Sequence, residues 1–527
     1  MIKVREVVTS ITNCGIDEVK RKTAKKLGIK PSFIKEIYIR KKSIDARRDI
    51  HFTFEVDVIL DNEEEVLKRV KDKNISKTHY EKYHFENKGN IVLKHRPVVI
   101  GSGPSGLFAA YLLAENGYKP IVIERGMDVD SRVKIVEEFW NTGKLDEKCN
   151  VSFGEGGAGT FSDGKLNTLN KDKEGRIQKV FETFVKCGAP SEILYENKPH
   201  IGTDLLRNIV KNMRKEIINM EGTFYFEKTL TDIDIKESKV VGITLNNNEY
   251  LPCDVLILGI GHSARDTFEM LYNKNIKMKS KPFAVGVRIE HPQKLINQNQ
   301  YGEYSKYLPS ASYKLTYKAS NGRGVYSFCM CPGGYVVNAS SENGYTAING
   351  MSNYKRDSKN ANSAIVVTVG QKDYGPHVLD GVEFQRELER KTFLSLNGKI
   401  PVQLWKDFKD GNTSSKFDNV TPCINGAYDF YDINKILPKY ISDSIKEGVE
   451  YFDTKIKGFA TDAVISCIES RTSSPVTIER DENFESNIKG LYPIGEGAGY
   501  SGGITTSSVD GIKVSEKIRL KYRNFKD

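Results

Sequence analysis

Residues 97–126 read PVVIGSGPSGLFAAYLLAENGYKPIVIERG, and no other stretch limits the possible folds as sharply. A short apolar run over 97–100 leads into Gly101, Gly103 and Gly106, spaced as G-x-G-x-x-G. An apolar, alanine-containing run over 107–114 follows, then Glu115 and Gly117, then a second apolar run over 121–123 that ends in Glu124. The order is strand, tight turn, helix, strand. Gly101 permits the turn, and Gly103 lets the backbone approach a pyrophosphate. Pro104 and Ser105 open the helix, and Gly106 lets it pack closely on the strand. The helix N-terminus offers free N–H groups and a partial positive charge to phosphates. Glu124 stands where a carboxylate accepts hydrogen bonds from ribose hydroxyls. Glu124 followed by Arg125 suits FAD better than NADP, whose 2′-phosphate a carboxylate would repel.

The chain of 527 residues has room for about three domains of ~150 residues each. No run approaches the ~20 continuous apolar residues of a membrane span. The opening MIKVREVVTS lacks the apolar core of a secretory signal. Eight cysteines, at 14, 149, 187, 253, 329, 331, 423 and 467, are too sparse for a disulfide framework. The expectation is a soluble, cytoplasmic protein. The net charge of +10 is uneven, because residues 1–95 hold 22 Lys/Arg against 15 Asp/Glu. KRKTAKK and RKKSIDARR are the basic clusters. A solvated basic face is the favoured reading, and docking of nucleic acid is the alternative. No aromatic RNA-stacking signature accompanies it.

Residues 1–95 read as a separate small domain. Strands over 2–11, 33–44 and 50–60 and helices over 17–27 and 62–70 follow the order β-α-β-β-α, which suggests a ferredoxin-like α+β unit. Gly28 would end the first helix, and Asn62 would cap the second. The first part of a FAD-binding domain then spans 96–280. Within it, NVSFGEGGAGTFSDGKL over 150–166 packs five glycines into residues 154–164. So many glycines bring backbone N–H groups close to a ligand, which marks Gly156, Gly157, Thr160, Asp163, Gly164 and Lys165 as a second cofactor element. Thr203 is a plausible cap of the next helix. A small antiparallel meander over 224–251 precedes VLILGIGHSARD. There Gly259 and Gly261 repeat the glycine turn, but Ala264 stands where a third glycine would complete it. That stretch reads as a strand returning to the first sheet, with His262 passing the cofactor, and no stable NAD(P) site is evident.

Residues 281–455 alternate as antiparallel strands and read as an inserted substrate domain, with a charged helix over 382–394 and a polar loop over 405–419. Residues 456–527 return to the FAD-binding domain. Arg471-TSSPV is a polar turn. LYPIGEGAGYSGGITTSSVDG then gives a strand, a glycine turn through Gly495, Glu496, Gly502 and Gly503, and a helix from near Ile504. A second helix N-terminus is thereby offered to the cofactor.

These stretches together resemble the two-dinucleotide-binding-type flavoproteins with a glutathione-reductase-like FAD domain. More closely, they are similar to a bacterial family of FAD-dependent dehydrogenases of unassigned substrate. KPFAVGVRIEHP, VYSFCMCPGGYVVNASSE and SRTSSPV also carry the likeness, which covers most of 95–527. The resemblance implies an α/β fold: a FAD-binding Rossmann domain, an inserted mainly antiparallel substrate domain and the small N-terminal domain. It implies that Gly101, Gly103, Ser105 and Gly106 bind the FAD pyrophosphate, Glu124 the ribose, and Arg125 the adenine side. Gly157, Thr160, Asp163, Gly164 and Lys165 would flank the ribityl chain and ring. Gly495 and Glu496 would stand where relatives often have Gly-Asp, and Gly502, Gly503 and Ile504 would meet the pyrimidine edge.

FAD would carry the redox chemistry, with hydride passing through its N5. The donor would be NAD(P)H docking transiently, or a small-molecule substrate itself. Lys165, His262, Arg471 and Ser473 are catalytic candidates because they sit in cofactor loops. Cys329 and Cys331 would share one strand face as C-x-C, with Cys331 a candidate thiol. Two small buried hydrophobes are the plainer reading, and no metal site is evident. An RNA-modifying flavoenzyme and a non-catalytic flavin module remain as alternatives.

Overall fold

Five short strands form a fully parallel sheet in the order Leu491–Pro493, Leu256–Leu258, Val98–Ile100, Ile121–Ile123, Thr223–Tyr225. This computed structural model describes residues 1–47, 49–78, 82–168, 170–171 and 173–525. The first strand of the glycine motif lies at the centre of the sheet. The strand before Gly259 lies beside it and the strand before Gly495 lies next beyond, all parallel, so the carboxyl ends of all three open on the same edge. Ligands of open α/β sheets bind in such a crevice.

The helix Pro104–Glu115 is buried along almost its whole length, because two layers cover it. One is the sheet, and the other is the C-terminal helix Ile504–Lys521. Small residues bring the two helices together. A Cβ on Gly511 would lie 2.2 Å from the Ser105 carbonyl oxygen, and Ser515 Oγ donates to the Ala109 carbonyl at 3.0 Å. Gly101 has φ +89°, and a Cβ there would meet the Gly259 carbonyl oxygen at 2.2 Å. A Cβ on Gly106 would meet the Gly101 carbonyl oxygen at 1.9 Å.

A seven-stranded sheet, antiparallel except at its last pair, makes up most of the rest. Its order is Thr316–Lys318, Gly324–Cys331, Asn360–Val369, Phe283–Pro292, Val464–Glu469, Ile400–Leu404, Tyr428–Phe430. Its apolar face packs under the helix Lys439–Asp453. Two expectations are corrected here. Val464–Glu469 was assigned to the FAD-binding domain with 456–527, but it pairs with Phe283–Pro292 and Ile400–Leu404 inside this sheet. The polar stretch after Trp405 begins as a helix, Trp405–Asp410, because Trp405 and Phe408 are buried and Gly411 ends the turn at φ +77°.

Residues 2–77 form a four-stranded antiparallel sheet in the order Glu36–Asp45, His51–Ile59, Ile2–Thr9, Ile75–Lys77. The helices Ile16–Leu27 and Glu63–Arg69 accompany it. Gly28 ends the first helix with φ +64°, whereas the Asn62 side chain makes no cap hydrogen bond. Many of the basic residues are paired: Arg21 with Glu18, Lys35 with Asp61, Arg40 with Asp57, Lys42 with Glu196, and Arg47 with Asp45. Arg48 lies outside the described residues. Among the described residues no helix is long and apolar enough to cross a membrane.

Candidate active site

One cavity of about 840 Å³ runs along the carboxyl edge of the parallel sheet and ends against the antiparallel one. That volume lies within the ~300–1,000 Å³ of small-molecule clefts. Its walls bring together Gly101, Gly103, Pro104, Ser105, Glu124 and Arg125 from the first motif. Gly157, Asp163, Gly164 and Lys165 come from the second glycine stretch, and Gly259, Gly261 and His262 from the returning strand. Arg471, Glu496, Gly502, Gly503 and Ile504 come from the C-terminal part. Gly103 and Gly503 cap the helices Pro104–Glu115 and Ile504–Lys521, so both N-termini face the cavity. Gly106, Gly156, Thr160, Gly495, Ser473 and Cys331 do not line it. Gly106 and Gly495 are occupied by close packing, Gly495 against Ser105 Oγ. Thr160 is buried and braces the loop, its hydroxyl donating to the Glu155 carbonyl. Thr203 caps no helix; its hydroxyl donates to the Thr160 carbonyl at 2.5 Å.

The second glycine stretch is held from beneath by Arg132, which lies in the helix Val129–Thr142 and is fully buried. Its guanidinium donates to the carbonyls of Asn150, Val151, Gly154, Glu155 and Gly157, at 2.7–3.2 Å. Burial pulls its pKa down to about 10, so it stays charged at neutral pH. Glu155 is equally buried; it pairs with Arg214 and accepts from the Val129 N–H at the start of that helix. The loop is thereby set so that a Cβ on Gly157 would lie 2.9 Å from the Cα of Gly103. The two glycine stretches touch backbone to backbone, and Gly157 has no room for a side chain.

Glu124 is buried and already engaged. Its Oε2 accepts from the Ser102 N–H (2.9 Å) and hydroxyl (2.7 Å), and its Oε1 from the N–H groups of Gly126 and Gly154 (both 3.0 Å). The carboxylate thus ties both glycine stretches to the second strand, a role the sequence did not reveal. Arg125 reaches Asp266 and Thr267 and lies over the Phe153 ring, 4.4 Å from its centroid.

The far end of the cavity meets the antiparallel sheet at Phe328 and Cys329, with Tyr313, Lys314, Asn349 and Arg356 completing the wall. Arg356 pairs with Asp163 through two hydrogen bonds. Lys165 Nζ is 3.8 Å from the same carboxylate. Glu496 is pushed up to about 7 by burial, partly offset by Lys281. His262 is pulled down to about 4, by burial first and then by Arg471 and Arg265, so its ring is neutral at pH 7. Arg471 grips Glu389 at 2.9 and 2.8 Å, and Arg265 grips the same carboxylate. Two guanidinium groups hold Glu389 far below the ordinary carboxylate range. Arg471 therefore lines the cavity as a pinned charge. Ser473 lies off the wall, and Thr472 lines it instead, its hydroxyl donating to the Ala284 carbonyl.

The cysteine expectation is corrected by a bulge. The strand Gly324–Cys331 shifts register against Asn360–Val369 between Phe328 and Cys331, and Cys329 has φ +44°. Alternation breaks there, so the two cysteines do not share a face. Cys329 lines the cavity, and Cys331 is fully buried behind it. Arg132, Arg356 and the Arg288–Glu469 pair were not singled out from the sequence. Arg288 and Glu469 each stand in a largely apolar strand, which was an available signal, whereas Arg132 and Arg356 sit among other charged residues and gave none.

This architecture defines a flavin-dependent oxidoreductase, and comparison with known proteins agrees. Residues 282–472 match the model described as "FAD-dependent protein, C-terminal domain-like", and residues 99–135 match an NAD(P)-binding Rossmann-like domain. Residues 1–59 match a domain of unknown function. An uncharacterized protein of Clostridium beijerinckii is 48% identical, with 99% of each chain covered. The chain belongs to one family with that bacterial relative, its matched segments are those of FAD-dependent and Rossmann-like proteins, and its cofactor is FAD. Solved structures are far more distant. L-proline dehydrogenase from P. horikoshii has 14% identity and a TM-score of 0.35, over 82% of this chain and 94% of that one. Glycine oxidase from Bacillus cereus has 12% identity and a TM-score of 0.33, over 82% and 99%.

Proposed function

We propose that the protein is a dehydrogenase or reductase that moves a hydride between its FAD and a small molecule held against the antiparallel sheet. The observation that carries this reading is a cavity walled jointly by the two glycine stretches, two helix N-termini and the bulged strand. When bound, FAD supplies the hydride chemistry at its N5. The chain's own groups do the rest. The Gly103 and Gly157 backbones and the N-terminus of Pro104–Glu115 hold the pyrophosphate. Glu124 would accept from the ribose hydroxyls, and Arg125 with Phe153 would flank the adenine side. Asp163, Gly164 and Lys165 line the path to the ring end. The N-terminus of Ile504–Lys521, entered through Gly502 and Gly503, favours negative charge there.

On this reading the FAD domain is of the glutathione-reductase-like kind, and the antiparallel insertion is the substrate domain. The N-terminal sheet, with its outer-to-outer order and two helices, is ferredoxin-like. The reductant is NAD(P)H docking transiently or the substrate itself; Gly259 and Gly261 line the same cavity as Gly101 and mark no second dinucleotide cradle among the described residues. Anaerobic mixing with NADH or NADPH tests the proposal. The visible flavin absorbance should bleach and return when a suitable acceptor is added. Flavin that neither pyridine nucleotide nor any organic donor bleaches would contradict it.

A further inference from the structure

The proposed function uses the bulged strand only as a wall and gives the thiols of Cys329 and Cys331 no role. A left-handed non-glycine residue inside a strand is strained and persists only where its surroundings hold it. Here the surroundings are specific. The Cys329 carbonyl accepts from Arg288 Nη1 at 3.2 Å and from the Cys331 thiol at 3.3 Å. Arg288 is itself fully buried, clamped by Glu469 at 3.0 Å on both oxygens and by Asn362 at 2.7 Å. The result is one thiol on the cavity wall and a second directly behind it. Without the bulge, the alternation of a strand would place both on one face.

The setting is that of a reactive pair. The Cys331 thiol, 3.3 Å from the Cys329 carbonyl, and the positive charges of Lys165 and Arg288 pull the Cys329 thiol down, whereas its contact with Cys329 and its burial push Cys331 up. Glu496, beside the glycines that enter the C-terminal helix, is near enough to feel the Cys329 charge. Cys329 therefore stands at the ring end of the cavity, between the second glycine stretch and the C-terminal helix.

Resting on the flavin reading above, we propose that Cys329 and Cys331 form a two-electron dithiol–disulfide couple that exchanges electrons with the FAD. In the oxidising direction the two S–H bonds break and one S–S bond forms. The two electrons and two protons released reduce FAD to FADH2, and the reverse reaction restores the dithiol. Cys329 is the sulfur that faces the flavin, and Cys331 closes the disulfide from behind. The substrate class this implies is a compound that reacts at sulfur, a small disulfide or thiol reaching Cys329 through the cavity.

Two measurements on the full-length flavoprotein test this after its flavin content is known. The first is alkylation with N-ethylmaleimide under denaturing conditions, read as the mass of the tryptic peptide spanning 324–355. The air-oxidised protein should carry no label at Cys329 and Cys331, and the anaerobically reduced protein should carry two. The second is anaerobic titration with dithionite. Wild type should take up about four electrons per flavin, and Cys329→Ser and Cys331→Ser about two each with flavin retained. Labelling of both cysteines in the oxidised protein, or an uptake of two electrons by wild type, would overturn the couple while leaving the flavin reading intact. Protein that binds no flavin would overturn both.

Discussion

At the scale of single residues, the three glycines of the first motif do different jobs, and substitution separates them. A Cβ on Gly106 has no space, whereas one on Gly103 meets only the Gly157 Cα at an ordinary 3.7 Å. Gly103→Ala should therefore melt within about 1 °C of wild type yet bind FAD at least tenfold more weakly, about 1.4 kcal/mol. Gly106→Ala should lower the melting temperature itself. Equal melting and equal affinity for Gly103→Ala would mean that no ligand backbone comes close there. Glu496 gives a pH prediction. Its folded pKa of about 7 lies above the solution value of 4.5, so the folded state binds the extra proton. Stability from this group is complete below about pH 4.5 and is lost as pH rises through 7. Glu496→Gln should stabilise the flavin-free protein by about 2 kcal/mol at pH 8 and change little at pH 4.5, measured by urea denaturation. The sequence made the glycines legible because their roles are local. It could not show that Glu124 already satisfies four donors, because three of them arrive from residues brought close only by the fold.

At the scale of elements, the second glycine stretch depends on a helix that precedes it. Arg132 satisfies five carbonyl groups from inside the protein, and buried acceptors left without donors are costly. Arg132→Met should leave far-UV circular dichroism nearly unchanged. It should reduce FAD retention on gel filtration at least tenfold, since the loop no longer holds its shape. Full retention would show that the loop is fixed by other contacts. The crossing of Pro104–Glu115 with Ile504–Lys521 is equally sensitive. Gly511→Val, directed at the Ser105 carbonyl, should cost roughly 2–3 kcal/mol in chemical denaturation. Strands and helices with clear periodicity could be read from the sequence. The bulge at Cys329 could not, because a buried arginine and a neighbouring thiol impose it on a pattern that alternates normally. The short helix after Trp405 was hidden for a related reason: only two of its residues are buried, too few to mark a period.

At the scale of the whole molecule, the chain leaves the parallel sheet, builds the antiparallel one and returns. The point of return lies later than composition suggested, since Val464–Glu469 still belongs to the insertion. The seam is fixed by charge. Glu389, on the helix Asp380–Leu396, holds Arg265 beside the parallel sheet and Arg471 just beyond the last strand of the insertion. Removing one partner of such a buried set leaves the others uncompensated. Glu389→Gln should therefore cost about 3–5 kcal/mol of stability, and a loss below 1 kcal/mol would show that the seam is held by apolar packing alone. The most direct test of the whole account is the flavin content of the native protein. Purified without added cofactor, it should be yellow, with about one FAD per chain released on denaturation. Colourless protein that takes up no FAD on incubation would contradict it.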